Sequence, residues 1–335
     1  MTDLSTLLDR GPLVLDGGLA TELERRGHDL SDDLWSARLL RDDPEAVVQA
    51  HLGFLRAGAQ VSTTASYQAS TTGFAAVGID TDGTRALLHR SVHLAREAGS
   101  RHAAETGERS LVAASIGPYG AVLADGSEYS GDYGLDVRAL REFHRPRLEW
   151  LAEAQPDVLA CETVPCLTEV EALLAEVADL GLPAWLSLTV DGERTRMGEP
   201  AREAFVMARD VEAVVAVGVN CCDPGGLAPL LSDAVALSGR PAVAYPNSGE
   251  RWDGPARRWV GRSGFAPGEV RDWVATGARL VGGCCRVGPA DIAAVAAEVR
   301  AGRAAEVPAD IAAGAAEVRA ERASGRAAEA DDPAG

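Results

Sequence analysis

Lysine is absent from this chain, and all 32 of its basic residues are arginines. Schiff-base chemistry needs a lysine amine, so lysine-dependent aldolases and pyridoxal enzymes are excluded. A Walker-type phosphate loop is excluded as well, because that motif requires a lysine.

The sequence also lacks long apolar runs and an excess of positive charge. No run approaches the roughly 18 apolar residues that cross a membrane. The first five residues have neither the basic region nor the apolar core of a secretion signal. We therefore expect a cytoplasmic protein. The net charge of −18 repels phosphate backbones, so we expect no nucleic-acid partner, and the missing apolar run predicts no membrane span.

What the chain does contain is a regular alternation of strand and helix patterns. Such alternation predicts a parallel sheet, and eight units over about 300 residues favour a closed (β/α)8 TIM-type barrel. An open, doubly wound sheet is less favoured, because no Gly-x-Gly-x-x-Gly follows the first strand. The predicted strands are residues 13–15, 60–67, 111–116, 157–161, 184–190, 214–219, 242–245 and 278–282. The predicted helices are residues 44–55, 84–98, 137–154, 167–180, 204–209, 226–237, 268–276 and 290–300.

Two further segments stand apart from this alternation. Residues 119–133 form a predicted long polar loop with many glycines. After residue 300, the sequence Pro-Ala-Asp-Ile-Ala-Ala of residues 289–294 recurs at residues 308–313, and alanine, arginine and glutamate dominate. We therefore divide the chain into a barrel of residues 1–300 and an appendage of residues 301–335, helical or disordered, without chemistry.

Cysteines mark the ends of the sixth and eighth predicted strands. Cys221 and Cys222 follow one strand, and Cys284 and Cys285 follow the other. A vicinal pair rarely forms an unstrained disulfide, and three thiolates suit a tetrahedral Zn²⁺ ion with one open position. Because neighbouring residues of an extended chain face oppositely, only one of Cys221 and Cys222 can point at the metal, and we favour Cys221. The two remaining cysteines, Cys161 and Cys166, are interpreted as small buried hydrophobes.

Several motifs together resemble one known family. The sequences Gly-Val-Asn-Cys (residues 218–221) and Gly-Gly-Cys-Cys (residues 282–285) are similar to the zinc motifs of the homocysteine S-methyltransferase family. Residues 15–23, 64–69, 162–163 and 245–250 also resemble that family. The loop of residues 115–121, continued by residues 125–129, resembles the branch that uses S-methylmethionine or S-adenosylmethionine. The resemblance spans residues 10 to 300 and leaves out the appendage.

This resemblance implies a set of roles at the acceptor side. Cys221, Cys284 and Cys285 would bind zinc, and Glu162 would bind the amino group of homocysteine. Asp16 and the amides of Gly17 and Gly18 would lie against the amino-acid head. Two polar residues at strand ends, where active sites of this fold lie, are added as candidate substrate-binding residues, namely Thr64 and Asn220. The zinc-bound thiolate of homocysteine would attack the donor methyl group, so no catalytic side chain is assigned.

The assignment of the methyl-donor side depends on aromatic residues and on one position that differs from the betaine-using branch of the family. A cationic donor can lie against aromatic faces, and the candidates are Trp35, Tyr119 and Tyr129. Gln68 stands where the betaine-using branch has a tyrosine, which favours a sulfonium donor that yields methionine from homocysteine. The alternatives are betaine as donor, selenohomocysteine or selenocysteine as acceptor, or a non-catalytic barrel that senses zinc or redox state.

Overall fold

A computed structural model describes residues 4–30, 35–123, 125–253 and 258–306, without the side chains of residues 35–36, 251–253, 258–259 and 304–306. Eight strands form one sheet in which all neighbours are parallel, in the order β1-β8-β7-β6-β5-β4-β3-β2. They are β1 (Leu13–Val14), β2 (Val61–Thr63), β3 (Leu111–Ile116), β4 (Val158–Val164), β5 (Ala184–Leu188), β6 (Val214–Asn220), β7 (Ala242–Tyr245) and β8 (Ala278–Val281).

The first and second strands bring the sheet round on itself. A parallel bridge pairs Leu15 with Val61, and the Gln60 amide donates to the Val14 carbonyl at 2.7 Å. The predicted (β/α)8 barrel is therefore confirmed.

Each strand is followed by one helix that packs on the outside of the sheet. The eight helices are α1 (Pro44–Arg56), α2 (Thr81–Thr106), α3 (Val137–Glu153), α4 (Leu167–Leu180), α5 (Ala201–Ala208), α6 (Ala228–Ser238), α7 (Glu269–Ala275) and α8 (Pro289–Glu306). The start of α1 shows how the local sequence determines where a helix begins. The Asp43 side chain accepts a hydrogen bond from the Ala46 amide, and Pro44 occupies the first turn.

The core has two layers. Side chains that face the barrel axis, such as Leu15, Trp185 and Leu280, form an inner cluster, and a larger outer cluster fills the space between sheet and helices. A helix that the sequence analysis did not predict, Leu4–Asp9, places Leu4 and Leu8 in the inner cluster. Because this helix precedes β1, it closes the amino-terminal end of the barrel and leaves the carboxyl ends of the strands as the site of an opening.

Three predictions about local structure need correction. Residues 119–133 are not all loop, since they contain the helix Tyr119–Leu123 and a 3-10 turn at Ser127–Tyr129. The second strand ends at Thr63 rather than at residue 67, because the chain turns there and the Ala69 amide donates to the Ser66 carbonyl. Two hairpins were missed, Val190–Asp191 with Arg194–Thr195 and Arg251–Asp253 with Arg258–Val260.

The remaining short helices are Leu19–Arg25, Leu39–Asp42, Thr71–Ala75 and the 3-10 helix Trp35–Arg38. Helix α8 continues past residue 300 to Glu306, and the rest of the predicted appendage lies outside the described residues. Within the described ranges, no helix is both long enough and apolar enough to span a membrane.

Candidate functional site

Three cysteine sulfur atoms meet at the carboxyl ends of β6 and β8. The Sγ atoms of Cys221 and Cys285 are 3.8 Å apart, and those of Cys221, Cys284 and Cys285 all lie within 4.8 Å of one another. The sheet order places only β7 between β6 and β8. Thiols more than sixty positions apart in sequence are therefore brought together by the barrel, and this group could hold a metal ion.

The segment after β7 joins the two cysteine-bearing segments through hydrogen bonds. Because β7 lies between β6 and β8 in the sheet, its carboxyl end is next to the cysteines that follow each of those strands. The Cys221 amide donates to Tyr245 O (3.3 Å), the Cys284 amide to Pro246 O (2.8 Å), the Cys285 amide to Asn247 Oδ1 (3.1 Å), and the Asn247 amide to Cys222 O (2.9 Å). Asn247 thus contacts both cysteine segments.

The backbone decides which member of each cysteine pair reaches the cluster. Cys221 has φ of 49°, in the left-handed region, and its side chain turns to the cavity, whereas Cys222 is buried in the outer apolar layer. The expectation that Cys221 rather than Cys222 joins the cluster matches this arrangement. Cys161 and Cys166 are both buried, as predicted.

The three thiols share their protons unequally. Donation from the Cys221 and Cys284 thiols holds the pKa of Cys285 well below its usual value. The hydrogen bond between Cys284 and Cys221, together with burial, raises the pKa of Cys284 well above its usual value. The cluster therefore stabilises one thiolate in the metal-free protein, and a cation would replace the remaining protons.

Two buried carboxylates flank the sulfur cluster in the same cavity. Asp16 accepts hydrogen bonds from the Thr63 amide (2.7 Å) and the Thr63 hydroxyl (2.8 Å). Glu162 accepts from the Ser115 hydroxyl and, at 2.9 Å, from the Tyr245 hydroxyl. Burial raises the pKa of Asp16 to about 7, and burial likewise raises the pKa of Glu162 to about 7.

The donor to Glu162 is itself oriented by buried side chains. The Trp185 indole N–H donates to the Tyr245 hydroxyl at 3.0 Å, and the Ser187 hydroxyl lies 3.0 Å from the same oxygen. Because Trp185 can only donate, it does not take the phenolic hydrogen of Tyr245, which is directed at Glu162.

Asn220 binds residues next to the cavity without lining it. Its Oδ1 accepts from the Thr163 amide (2.7 Å) and from the Ser187 hydroxyl (2.5 Å), and its Nδ2 donates to the Thr163 hydroxyl (2.8 Å). The described residues that line the cavity include Thr163 but not Asn220. The structure therefore gives Asn220 contacts with the chain next to Glu162 and none with the cavity itself.

The glycines after β1 let the loop after β8 approach closely. A Cβ on Gly18 would lie 2.7 Å from the Cys284 carbonyl oxygen, which leaves no room for a side chain. Gly17 and Gly18 both line the cavity. The Gly18 amide donates to the Val287 carbonyl at 3.0 Å, so its hydrogen is engaged within the protein. Contact of the two glycine amides with the amino-acid head stays a prediction.

Thr64 also lines the cavity, but its hydroxyl is engaged by protein groups. It lies 2.7 Å from the Ser66 hydroxyl and accepts a hydrogen bond from the Ser115 amide at 3.0 Å. These contacts hold the ends of β2 and β3 together.

The predicted donor-side residues divide into two groups. Gln68 and Tyr129 line the cavity; Gln68 donates to the Ala121 carbonyl at 2.9 Å, and the Arg196 guanidinium lies 5.6 Å from the Tyr129 ring centre. Tyr119 is not among the described lining residues, because its ring packs against Tyr133 and Phe143. The side chain of Trp35 lies outside the described part of the chain.

Comparison with known proteins identifies the family. The sequence profile described as "Homocysteine S-methyltransferase" matches residues 13–299. The chain belongs to the homocysteine S-methyltransferase family. This result confirms the resemblance drawn from the motifs and the enzyme class that it implied.

Relatives in this family match over nearly their full length. The Escherichia coli homocysteine S-methyltransferase is 47% identical over 304 residues, which cover 88% of this chain and 97% of the relative. Homocysteine S-methyltransferase YbgG of Bacillus subtilis is 41% identical over 310 residues, covering 90% and 98%. The crystal structure of the metallated form of the homocysteine methyltransferase MmuM from Escherichia coli has a TM-score of 0.79 at 45% identity, covering 87% of this chain and 98% of that one.

Several cavity residues of this homocysteine S-methyltransferase family member received no role from the sequence. Two of them carried a usable signal: Ser115 is a polar residue within a strand that is otherwise apolar, and Tyr245 ends a strand that points at the site. Others with polar side chains are Thr21, Thr63, Tyr67, Glu128 and Thr163. Glu128 is 6% exposed, and its burial could not be read from a polar, glycine-containing segment.

Proposed function

We propose that this chain catalyses zinc-dependent methyl transfer from a sulfonium donor to the thiol of homocysteine. The observation that carries the proposal is the group of three thiols within 4.8 Å of one another, in the wall of a cavity that also contains buried carboxylates. In the reaction, a bond between the donor sulfur and its methyl carbon breaks while the homocysteine sulfur bonds that carbon. The thiol proton leaves to solvent, and S-methylmethionine as donor leaves two methionines.

The sulfur cluster fits zinc in its dimensions as well as its chemistry. Zinc–sulfur bonds of about 2.3 Å at tetrahedral angles separate two ligand sulfurs by about 3.8 Å, and the Sγ atoms of Cys221 and Cys285 are 3.8 Å apart. Cys221, Cys284 and Cys285 would hold the ion, and the cavity beside them would admit the substrate sulfur. When bound, zinc supplies a positive charge that favours the thiolate form of homocysteine, whose thiol otherwise has a pKa of about 8.5.

The residues of the chain itself account for acceptor binding and orientation. The Glu162 carboxylate is fixed between Ser115 and Tyr245, and its anion would accept a hydrogen bond from the ammonium group of homocysteine. Asp16, which is held by two hydrogen bonds from Thr63, would lie against the amino-acid end of homocysteine. Because both oxygens of each carboxylate are already oriented, little side-chain freedom is lost when the substrate binds.

The donor side of the cavity supports a cation. No arginine or histidine is among the described residues that line it, whereas the tyrosines Tyr67 and Tyr129 are, and aromatic rings attract cations. The loop that resembles the sulfonium-using branch contributes Tyr129. These features suit any onium donor, and the preference for S-methylmethionine or S-adenosylmethionine over betaine rests on that loop and on Gln68, which also lines the cavity. Betaine as donor, and selenohomocysteine or selenocysteine as acceptor, are the alternatives to be tested.

Metal content tests the ligand set. We expect the purified protein to contain about one zinc per chain, and Cys221→Ala to lose most of it, because two thiolates remain. Cys222→Ala is the matched control, since it removes an adjacent thiol that lies in the apolar layer. Equal zinc content in the two variants would contradict the assignment of Cys221.

A donor and acceptor panel tests the reaction. The zinc-loaded protein is incubated with homocysteine and, separately, S-methylmethionine, S-adenosylmethionine and betaine, and methionine is measured. We expect turnover with a sulfonium donor and none with betaine. A protein that binds zinc but shows no methionine formation with any donor, and no methylated product from selenohomocysteine or selenocysteine, would instead be a non-catalytic zinc- or redox-sensing barrel.

A further inference from the structure

Glu128 is a buried carboxylate in the cavity that has no role in the proposed acceptor site. It lines the same cavity as the three thiols and is 6% exposed. Its Oε2 atom has no hydrogen-bond partner among the described residues. The other two cavity carboxylates, Asp16 and Glu162, each have donors on both oxygens. Among the described residues, Glu128 is therefore the cavity carboxylate with an oxygen that receives no hydrogen bond from the protein.

The backbone around Glu128 holds it rigidly. The 3-10 turn that carries it is closed by hydrogen bonds from the Tyr129 amide to Gly126 O (3.0 Å) and from the Gly131 amide to Ser127 O (2.9 Å). The helix Tyr119–Leu123 packs directly on this turn: a Cβ on Gly120 would lie 2.4 Å from the Glu128 amide nitrogen. Glycine at position 120 is thus required for the close approach that fixes Glu128 in the cavity wall.

The unpaired oxygen of Glu128 would be satisfied best by a ligand that is both positively charged and a hydrogen-bond donor. Burying a carboxylate without a partner costs several kcal/mol, and no arginine or histidine lines the cavity among the described residues. Burial raises the pKa of Glu128 to about 7. A ligand with an N–H group would satisfy both the hydrogen-bonding capacity and the charge.

We propose that Glu128 binds the α-ammonium group of the methyl donor and thereby restricts the donor to sulfonium compounds that carry an amino acid. This inference rests on the proposed function and names the residue that selects its second substrate. Betaine, and dimethylsulfonium compounds without an amino group, have no N–H to offer and would leave Oε2 of Glu128 unpaired. Selection of this kind is strong, because a site that loses its partner keeps the desolvation cost.

The test compares two donors in two variants. The donors are S-methylmethionine and 4-(dimethylsulfonio)butanoate, which has the same sulfonium and carboxylate but no α-amino group. Glu128→Gln keeps the shape of the side chain and removes its charge. Asp125→Asn is the matched control, since it removes one negative charge from the exposed part of the same loop and retains an oxygen to accept from the Ser127 amide. If a variant does not turn over one of the donors, that compound is instead tested as a competitive inhibitor of S-methylmethionine, and its inhibition constant is compared between variants.

We expect Glu128→Gln to lower kcat/KM for S-methylmethionine about 10- to 100-fold, the range for a charge-assisted hydrogen bond. It should leave the amino-free donor and the KM for homocysteine unchanged, and Asp125→Asn should preserve the wild-type ratio between donors. Equal losses with both donors would show that Glu128 acts on the sulfonium or on the fold, and a raised KM for homocysteine alone would assign it to the acceptor. Either result overturns this inference without touching the proposed function, which instead fails if the wild-type protein forms no methionine.

Discussion

The hydrogen bond from Tyr245 to Glu162 makes a specific prediction about pH dependence. Tyr245→Phe removes only the phenolic oxygen, which donates to Glu162 at 2.9 Å. The Ser115 hydroxyl remains as the other donor to that carboxylate. Losing a hydrogen bond to the anion disfavours ionisation, so the pKa of Glu162 must rise in the variant.

The size of the shift follows from the strength of the lost contact. A hydrogen bond to a charged group contributes about 1.5–3 kcal/mol, and one pKa unit corresponds to about 1.4 kcal/mol. From a wild-type pKa of about 7, the variant should therefore move up by about one to two units. At pH 7 the ionised fraction falls from about one half to about one tenth or less, so kcat/KM for homocysteine should fall about five-fold or more.

The assay is the pH profile of kcat/KM for homocysteine at saturating donor, because this quantity reports ionisations of the free enzyme. Wild type and variant are compared at equal zinc occupancy, so that the field of the metal affects both alike. We expect the lost activity to return as the pH rises toward 9. Ser115→Ala should shift the profile in the same direction, whereas Ser187→Ala, whose hydroxyl contacts Tyr245 and not Glu162, should shift it little. A uniform loss at every pH, with an unchanged midpoint, would refute the reasoning.

Three further predictions concern the groups around the cavity. Asn247→Ala should weaken zinc binding about 10- to 100-fold in a competition with a chelator, because its side chain orients the Cys285 amide; unchanged affinity would show that the thiols are positioned without it. Glu128→Gln should raise the Tm of the metal-free protein at pH 8 by about 2–4 °C and leave it unchanged at pH 4.5. The sign follows because folding raises the pKa of Glu128 from 4.5 to about 7, so the carboxylate destabilises the fold increasingly as the pH rises through that window; equal effects at both pH values would contradict this account. Arg147→Met should lower stability by about 3 kcal/mol and raise the KM for the donor more than that for homocysteine, because the buried guanidinium donates to the carbonyls of Tyr67 and Gly117 beside the cavity; a uniform change in both KM values would assign Arg147 to the fold alone.

Much of the fold could be predicted because strong local signals mark its elements. The strands Leu111–Ile116 and Ala242–Tyr245 and the helix Leu167–Leu180 were predicted with their observed bounds. Each is an apolar or periodic run that stops at a proline or glycine. The helix Tyr119–Leu123 could not be found in this way, because five residues are too few to show a helical period. The hairpin around residues 191–194 did carry a signal, Asp191-Gly192, which is typical of a tight turn.

From residue chemistry alone, the candidate site was predictable only where that chemistry is rare; Asp16 and Glu162 were reached through the family resemblance. Vicinal cysteines at two strand ends are uncommon, so Cys221, Cys284 and Cys285 stood out before any coordinates. Glu128 did not, since glutamate on a polar loop is ordinary. What marks Glu128 is its burial and its unpaired oxygen. Both depend on how the helix Tyr119–Leu123 packs against the 3-10 turn Ser127–Tyr129. The direction of the Tyr119 ring likewise depends on Phe143, which lies in the next helix.

The short helix Leu4–Asp9 has a practical consequence. Leu4 and Leu8 fill the end of the barrel opposite the cavity, so this helix and the opening of the cavity lie on different sides of the barrel. Attachment of the protein to a bead or sensor surface through its amino-terminal segment should therefore leave the entrance facing bulk solution, with diffusion of homocysteine and donor unobstructed. Such a preparation would allow metal to be stripped and restored repeatedly on one sample.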